Sequence, residues 1–361
     1  MMASANEAVI AAAGSGKTEY LLESALSEPN RRTLIVTYTN ENLREINSRL
    51  WEKVSGPPPG VTTMTWFEFL LRDGVKPYQS YKTRFGRIRS INFITQNPPF
   101  ARRDDFDNYY LDSSDNIYRD AVSDLAFELN LASGGKVVKR LEGMYDQILV
   151  DEVQDMAGYD LDLLQLLLVS SIEITMVGDP RQSVYLTNRS NKNSQYRGAK
   201  LVDWITERVE GDDCFLRHMD VSYRCTQAIC DVADSIYPDM QSTSSLNDVS
   251  DHHLGVFLVH TDHLAEYIEN FSPQELRWDR RSPLAGPLAR NFGQVKGQAF
   301  DRVLIHPTGT ITKYLENGDA LADGTAAKFY VAVTRARFSV AVVTKKHTTA
   351  SQLPFWRPVS S

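Results

Sequence analysis

The chain is 361 residues long, 42% hydrophobic and 24% charged, with a formal net charge of −7. That length allows two domains, each with a sizeable core, and the acidic balance excludes a global positive field that pulls the chain onto nucleic acid, so any such contact must be a local groove. Three cysteines (Cys214, Cys225 and Cys230) are too few and too irregularly spaced for a disulfide framework or a zinc site.

The first element read from the amino terminus is a short buried strand, Ala8-Val9-Ile10, followed by Ala11-Ala12-Ala13-Gly14-Ser15-Gly16-Lys17-Thr18. Apolar residues then recur at helical spacing through Tyr20, Leu21, Leu22, Ala25 and Leu26. Glycines at a strand-to-helix junction let successive N–H groups turn inward on a phosphate chain. Lys17 then reaches the outer phosphates and the Thr18 hydroxyl holds Mg²⁺, so Ala13, Gly14, Ser15, Gly16, Lys17 and Thr18 form a candidate ATP cradle, although the strict pattern has Gly where this chain has Ala11. A second strand, Thr33 to Thr37, runs into Tyr38-Thr39-Asn40 and a helix expected to start near Asn40 as N-cap. The connector Gly56-Pro57-Pro58-Pro59-Gly60 leads to a third strand, Val61 to Thr65, which contains Thr63 and enters an amphipathic helix over Trp66 to Leu71.

From about Arg72 to Gly143 the character changes. The run Tyr81-Lys82-Thr83-Arg84-Phe85-Gly86-Arg87-Ile88-Arg89 alternates bases with aromatics, and acids crowd Asp104 to Asp124. The segment reads as a mainly helical subdomain, residues 72–143, inserted in the first domain. The basic-aromatic run reads equally as a grip on a nucleic-acid backbone and as a solvated face with its rings turned inward. Gln147 to Val150 then resumes the sheet and delivers Asp151-Glu152-Val153-Gln154-Asp155 at the strand end, where ligands bind in parallel sheets. There Asp151 can hold Mg²⁺ and Glu152 can orient or deprotonate a water at the γ-phosphate. A further strand, Ile172 to Val177, ends in Gly178-Asp179-Pro180-Arg181-Gln182.

A second α/β pattern, without a P-loop, starts near Ala199. Its landmarks are Ser222-Tyr223-Arg224, strands at Gly255 to Val259, Arg302 to Ile305 and Ser339 to Val343, and a helix from Ala326 to Arg335. His260 and His263 stand three apart, with no Cys or second His pair to complete a ligand set, and read as surface histidines. The expected class is α/β, a first domain over 1–198 and a second over 199–361, with NTP between them and arginines supplied by the second. No basic segment followed by an apolar stretch opens the chain and no run reaches transmembrane length, so the expectation is the cytoplasm with no membrane contact.

In their order along the chain these motifs resemble the UvrD/Rep/PcrA branch of the superfamily 1 helicases. The P-loop of that family itself begins with Ala. Tyr38-Thr39-Asn40, Thr63-Met64-Thr65-Trp66, Asp151 to Asp155, Gly178 to Tyr185, Ser222-Tyr223-Arg224, Lys296-Gly297-Gln298-Ala299-Phe300-Asp301 and Tyr330 to Ala336 follow in the family's sequence, with Tyr196-Arg197-Gly198-Ala199 displaced by an insertion at Leu186 to Gln195. The resemblance implies two RecA-like domains and an ATP-driven translocase or helicase acting 3′ to 5′ on single-stranded DNA, with RNA the other strand the motifs allow. It assigns catalysis to Lys17, Glu152, Gln182, Arg224 and Arg335, with Gln182 sensing the γ-phosphate and the two arginines acting as fingers. Tyr223 would stack on the nucleotide base and Gly297 would border the nucleotide. Tyr38, Thr39, Asn40, Thr63, Trp66, Tyr196 and Arg197 would line the strand, though each aromatic also reads as core packing.

The chain departs from the family at Glu19, commonly Arg there, and at Ala299, where the family has a Glu touching the ribose. Few residues precede the P-loop to carry a glutamine that reads adenine, and the span from Arg224 to Lys296 is short for the family's large mobile subdomain. These departures loosen nucleotide selectivity and point to a partner protein, such as a nuclease, for work on duplex. The alternative is a nucleic-acid-stimulated ATPase switch that controls such a partner, in repair or phage defence, without unwinding. A P-loop small-molecule kinase would need an acceptor site in place of paired arginines.

Overall fold

The computed structural model describes residues 5–56, 58–82, 87–98, 100–185, 190–282, 284–347 and 350–358. Of the segments singled out above, Pro57, Thr83 to Gly86 (with Arg84) and Leu186 to Arg189 lie outside them. The chain forms two compact units. The described residues of the first fall within Met1–Ile10, Lys17–Pro180 and Tyr185–His218; those of the second fall within Ala11–Gly16, Arg181–Val184 and Met219–Ser361.

In the first unit, strands β1 (Glu7–Ala11), β2 (Thr33–Thr37), β3 (Val61–Thr65), β6 (Gln147–Asp151), β7 (Glu173–Gly178) and β8 (Phe215–Met219) make one sheet in the order β3-β2-β6-β7-β1-β8. A separate small parallel pair joins β4 (Ile91–Asn92) to β5 (Ile117–Tyr118). β2 and β6 are buried at every position, as a parallel strand covered on both faces must be. Helices α1 (Lys17–Leu26), α2 (Asn40–Val54), α3 (Trp66–Phe69), α4 (Phe106–Tyr110), α5 (Val122–Ala132), α6 (Lys136–Met144), α7 (Tyr159–Leu168) and α8 (Leu201–Glu210) cover it. The N-cap of α2 is Thr39, whose Oγ1 accepts the Asn42 N–H at 3.1 Å, so Asn40 is the first helical residue rather than the cap.

Three expectations change here. The Trp66 helix does not run evenly to Leu71: after Phe69 the chain widens into a π-helical turn, Leu70–Val75. This turn carries Asp73 into the interior, where it meets Arg72 at 2.9 Å, Arg140 at 3.3 Å and the Tyr145 hydroxyl at 3.3 Å. Residues 72–143 do not form a body of their own. Val75, Ile88, Ile117, Val122, Leu125 and Leu129 share one apolar core with Val36, Met64, Trp66 and Leu164. The second pattern also starts later than Ala199, because Leu201, Trp204 and Ile205 of α8 enter that same core.

The second unit holds β9 (Val221–Ser222), β10 (Ser244–Ser245), β11 (Gly255–His260), β12 (Gln274–Arg277), β13 (Arg290–Asn291), β14 (Phe300–His306) and β15 (Ala336–Thr344), with α9 (Gln227–Ser235), α10 (Leu264–Phe271), α11 (Gly309–Asn317) and α12 (Asp323–Val333). Its main sheet is parallel, in the order β11-β15-β14-β12-β13. The span from Arg224 to Lys296 is taken up by α9 through β13, elements of this unit. No helix among the described residues is long and apolar enough to cross a membrane, and the three cysteines are free and buried.

Beside this sheet His253 is stacked between Phe257, 4.5 Å between ring centroids, and Phe271, 3.9 Å. Burial, aided by Arg302, pushes its imidazole from 6.5 down to about 4. Between those values the unfolded chain binds the proton and the folded chain does not, so stability falls as pH drops through that window. Urea unfolding at pH 7.5 and pH 5 should show wild type losing on the order of 1–2 kcal/mol more than His253→Phe; equal losses would remove His253 as the cause.

Candidate nucleotide and strand site

β1 and β6 run parallel with β7 between them, so their carboxyl ends share one sheet edge. At that edge β1 turns through the P-loop into α1, which begins at Lys17, with Thr18 next. Gly14 and Gly16 take the left-handed conformation, φ +77° and +86°, which costs glycine nothing and an L side chain about 1 kcal/mol or more. Ser15 is buried and its Oγ has no hydrogen-bond partner. β6 delivers Asp151, buried, accepting from the Thr37 hydroxyl at 3.1 Å. Glu152 follows with φ +57°, an unusual value for a side-chain-bearing residue, and its carboxylate accepts from the Gln154 amide. Gln154 Oε1 in turn accepts the Asp179 N–H at 3.1 Å. A Cβ on Gly178 would lie 2.3 Å from that oxygen, so the approach needs glycine.

The crown of the P-loop, in the second unit, is gripped by the chain from Met219 to Arg224. Ala12 N–H donates to Met219 O at 2.8 Å, Ser222 Oγ to Ala13 O at 2.8 Å and Tyr223 N–H to Gly14 O at 2.9 Å. A Cβ on Gly14 would fall 2.5 Å from Arg224 Cβ and 2.9 Å from Ser222 Oγ. Arg224 keeps a buried Nη1 without a partner, and Tyr223 is 63% exposed, a ring with an open face. In the same unit Arg335 is buried and donates from Nη2 to Gln182 Oε1 at 3.1 Å, from Nη1 to Gln298 O at 3.2 Å and from Nε to Val331 O at 3.2 Å. Gly297, φ +85°, turns the loop that carries Gln298. Arg181, beside Gln182, is committed to structure, paired with Asp234 at 3.1 Å and lying over the Tyr330 ring.

Hard oxygen donors suit Mg²⁺, and Thr18 and Asp151 are of that kind. Lys17 and Thr18 open α1 and the acids end β6, all within the first unit, while the expected strand residues are scattered in role. Thr39 caps α2 and Asn40 opens it. Thr63 donates to Asn47 Oδ1 at 2.7 Å. Tyr196 is half-buried and its hydroxyl donates to Glu207 at 2.8 Å; Arg197 donates to Ser190 O. Trp66 is a correction. It is fully buried and its indole donates to Asp160 at 2.7 Å, so it has no ring face to offer a base.

The geometry adds rings that pattern reading did not single out. Tyr38, half-buried with its phenol pushed up to about 12 by burial, packs against Phe67 at 5.8 Å and Tyr185 at 6.3 Å, and Phe67 meets Phe93 edge-on at 5.4 Å. Tyr185 and Phe93 are exposed. Tyr185 could have been found at the end of the Gly178-to-Tyr185 motif; Phe93 carries no signal in the sequence. Two described cations of the basic-aromatic run are paired, Lys82 with Glu128 at 3.3 Å and Arg89 with Asp115 at 3.6 Å. His260 is buried rather than on the surface, stacked on His347 with ring centroids 3.7 Å apart.

The comparisons agree with this reading of the fold. The chain is 28% identical over 100 residues to a probable DNA helicase II homolog of Mycoplasma capricolum, 28% of this chain and 13% of that protein. It is 27% identical over 245 residues to the Gabija protein GajB of Bacillus cereus, 62% of this chain and 45% of that protein. It therefore spans less than half the length of these curated relatives. Its fold is similar to that of arterivirus nonstructural protein 10 (helicase) solved in complex with DNA, at a TM-score of 0.50 and 14% identity, over 95% of this chain and 61% of that one. A family model described as an AAA domain matches residues 1–188, and one described as the viral superfamily 1 RNA helicase core domain matches residues 135–344. With each of the two spanning more than half of 361 residues, the chain belongs to the superfamily 1 helicases.

Proposed function

We propose that the chain is an ATP-driven translocase on single-stranded DNA that moves 3′ to 5′ and separates duplex together with a partner protein. The observation that carries this reading is the clamp on Gly14, which holds Arg224 against the crown of a P-loop. An arginine fixed there has one evident use, to neutralise charge on a phosphate chain in that loop. Lys17 and the inward N–H groups from Ala13 to Gly16 would hold the phosphates. Thr18 and Asp151 would hold Mg²⁺, which when bound draws charge from the β- and γ-phosphate oxygens. Glu152 would position the attacking water and take its proton. Gln182, bonded to Arg335, is suited to report the state of the γ-phosphate to that arginine. Tyr223 would stack on the base, which tolerates other purines and pyrimidines better than a hydrogen-bonding site does. The row of rings from Tyr185 through Tyr38 and Phe67 to Phe93, exposed at its two ends, supports a strand path on the first unit, and grip that alternates with the ATP cycle would move the strand.

Three outcomes test this. Glu152→Gln should bind ATP like wild type and lose at least about a hundredfold in turnover, and Arg335→Lys should lose on the order of 10³ with its thermal midpoint kept; a wild-type rate in Glu152→Gln would remove Glu152 from the mechanism. Phe93→Ala should weaken binding to a fluorescent oligo-dT strand by roughly 1–3 kcal/mol in anisotropy titrations, with DNA-free turnover unchanged; unaltered affinity takes Phe93 off the path. On a 3′-tailed duplex the chain alone should separate strands weakly, yet strip streptavidin from single-stranded DNA efficiently. Processive unwinding alone would sink the partner, and ATP turnover without stripping would favour the ATPase switch.

A further inference from the structure

The carboxyl edge of the second unit's sheet holds a cavity that this reading does not use. β12, β14 and β15 end there at Arg277, His306 and Thr344. α10 covers one face of the sheet, packing Tyr267 against Val259, Leu304 and Val343. α11 and α12 cover the other, packing Ile311 and Phe329 with Val303, Ile305 and Val342. Connections that leave strand ends for opposite faces open a crevice between them, the place where open α/β sheets take ligands. Here the crevice is about 500 Å³, within the range of small-molecule sites.

Its walls have a definite chemistry. Trp278 supplies an indole, braced edge-on by Phe292 at 6.2 Å and touched by Lys328 Nζ at 4.1 Å from the ring centroid. His306 lines the cavity at 4% exposure. Its Nε2 stands 2.7 Å from Glu275 Oε2, while its Nδ1 is buried with no hydrogen-bond partner among the described residues. Burial lowers the His306 pKa, so the ring is neutral at pH 7. The carboxylate fixes the proton on Nε2, which leaves Nδ1 as a buried lone pair that lacks a donor. At the rim Lys346 is paired with Glu316 at 2.7 Å, whereas Lys345 is exposed and has no ion-pair partner among the described residues.

We propose that this cavity binds a small planar heteroaromatic molecule with a ring N–H and one anionic group: the ring against Trp278, the N–H donated to His306 Nδ1, the anion at Lys345. The ligand is uncharged at its buried end because an ion there would face Glu275 or an imidazole that resists protonation.

Calorimetric titration of the full chain tests this with three probes: indole-3-acetate, 1-methylindole-3-acetate, which lacks the donor, and tryptamine, which carries a cation. Indole-3-acetate should bind with a dissociation constant of about 1 mM, the methylated probe about tenfold more weakly or worse, and tryptamine without saturation. Thr312→Trp, which fills the cavity from α11, should abolish binding, and Lys345→Gln should weaken it several-fold, both with wild-type ATP turnover and thermal midpoint. Equal affinity for the three probes, unchanged binding in either variant, or no heat from indole-3-acetate at about 10 mM would each overturn the proposal.

Discussion

The contact on which the rest of the site depends is the approach of Arg224 to the backbone of Gly14. With a Cβ there the two chains would stand 2.5 Å apart, so only glycine, at φ +77°, lets the strand from Met219 to Arg224 bond to the carbonyls of Ala13 and Gly14. That strand follows directly on β8, the edge neighbour of β1. The P-loop is thereby shaped from both sides, by the sheet strand that leads into it and by the backbone that carries Tyr223 and Arg224. The backbone at Arg224 is held in place through the bonds of Ser222 and Tyr223 to the P-loop.

The second acidic element is built with similar economy. The left-handed turn at Glu152 strains a side-chain-bearing residue by about 1 kcal/mol. It persists because Gln154 grips both sides, donating to Glu152 and accepting from the backbone of Asp179. At Gly178 the Gln154 amide oxygen fills the place a side chain would take, so a larger residue there would displace that amide. One buried glutamine therefore joins the end of β6 to the end of β7, the strands that lead into Glu152 and Gln182.

The segment between β3 and β6 is a different case. It was legible as a break in the alternation of strand and helix, but not as part of the main core. Its apolar residues are spaced for helices and carry no mark of what they will pack against. Asp73 shows how tertiary structure overrides the local reading. An acid in an apolar helix argues for a solvated face, yet here a widened turn buries it among Arg72, Arg140 and Tyr145. Lys82 and Arg89 of the basic run are likewise paired with Glu128 and Asp115, which stand far from them in the chain.

What the sequence determined by itself is the nucleotide chemistry and the α/β class. Gly14, Gly16, Lys17 and Thr18 were legible as a strand-to-helix junction, and Asp151 with Glu152 as a strand end. Both are local features, fixed by a few neighbouring residues and therefore readable in order along the chain. Tertiary structure alone decided which aromatics are sealed in the core. Trp66 and Tyr38 stand in equivalent settings, each just past a strand end, yet one is sealed against Asp160 and the other joins a row that opens to solvent at Phe93. It also decided that His306 would face a cavity with one nitrogen unsatisfied. Exposure is a property of what the rest of the chain places over a residue, and no spacing rule within a segment records that.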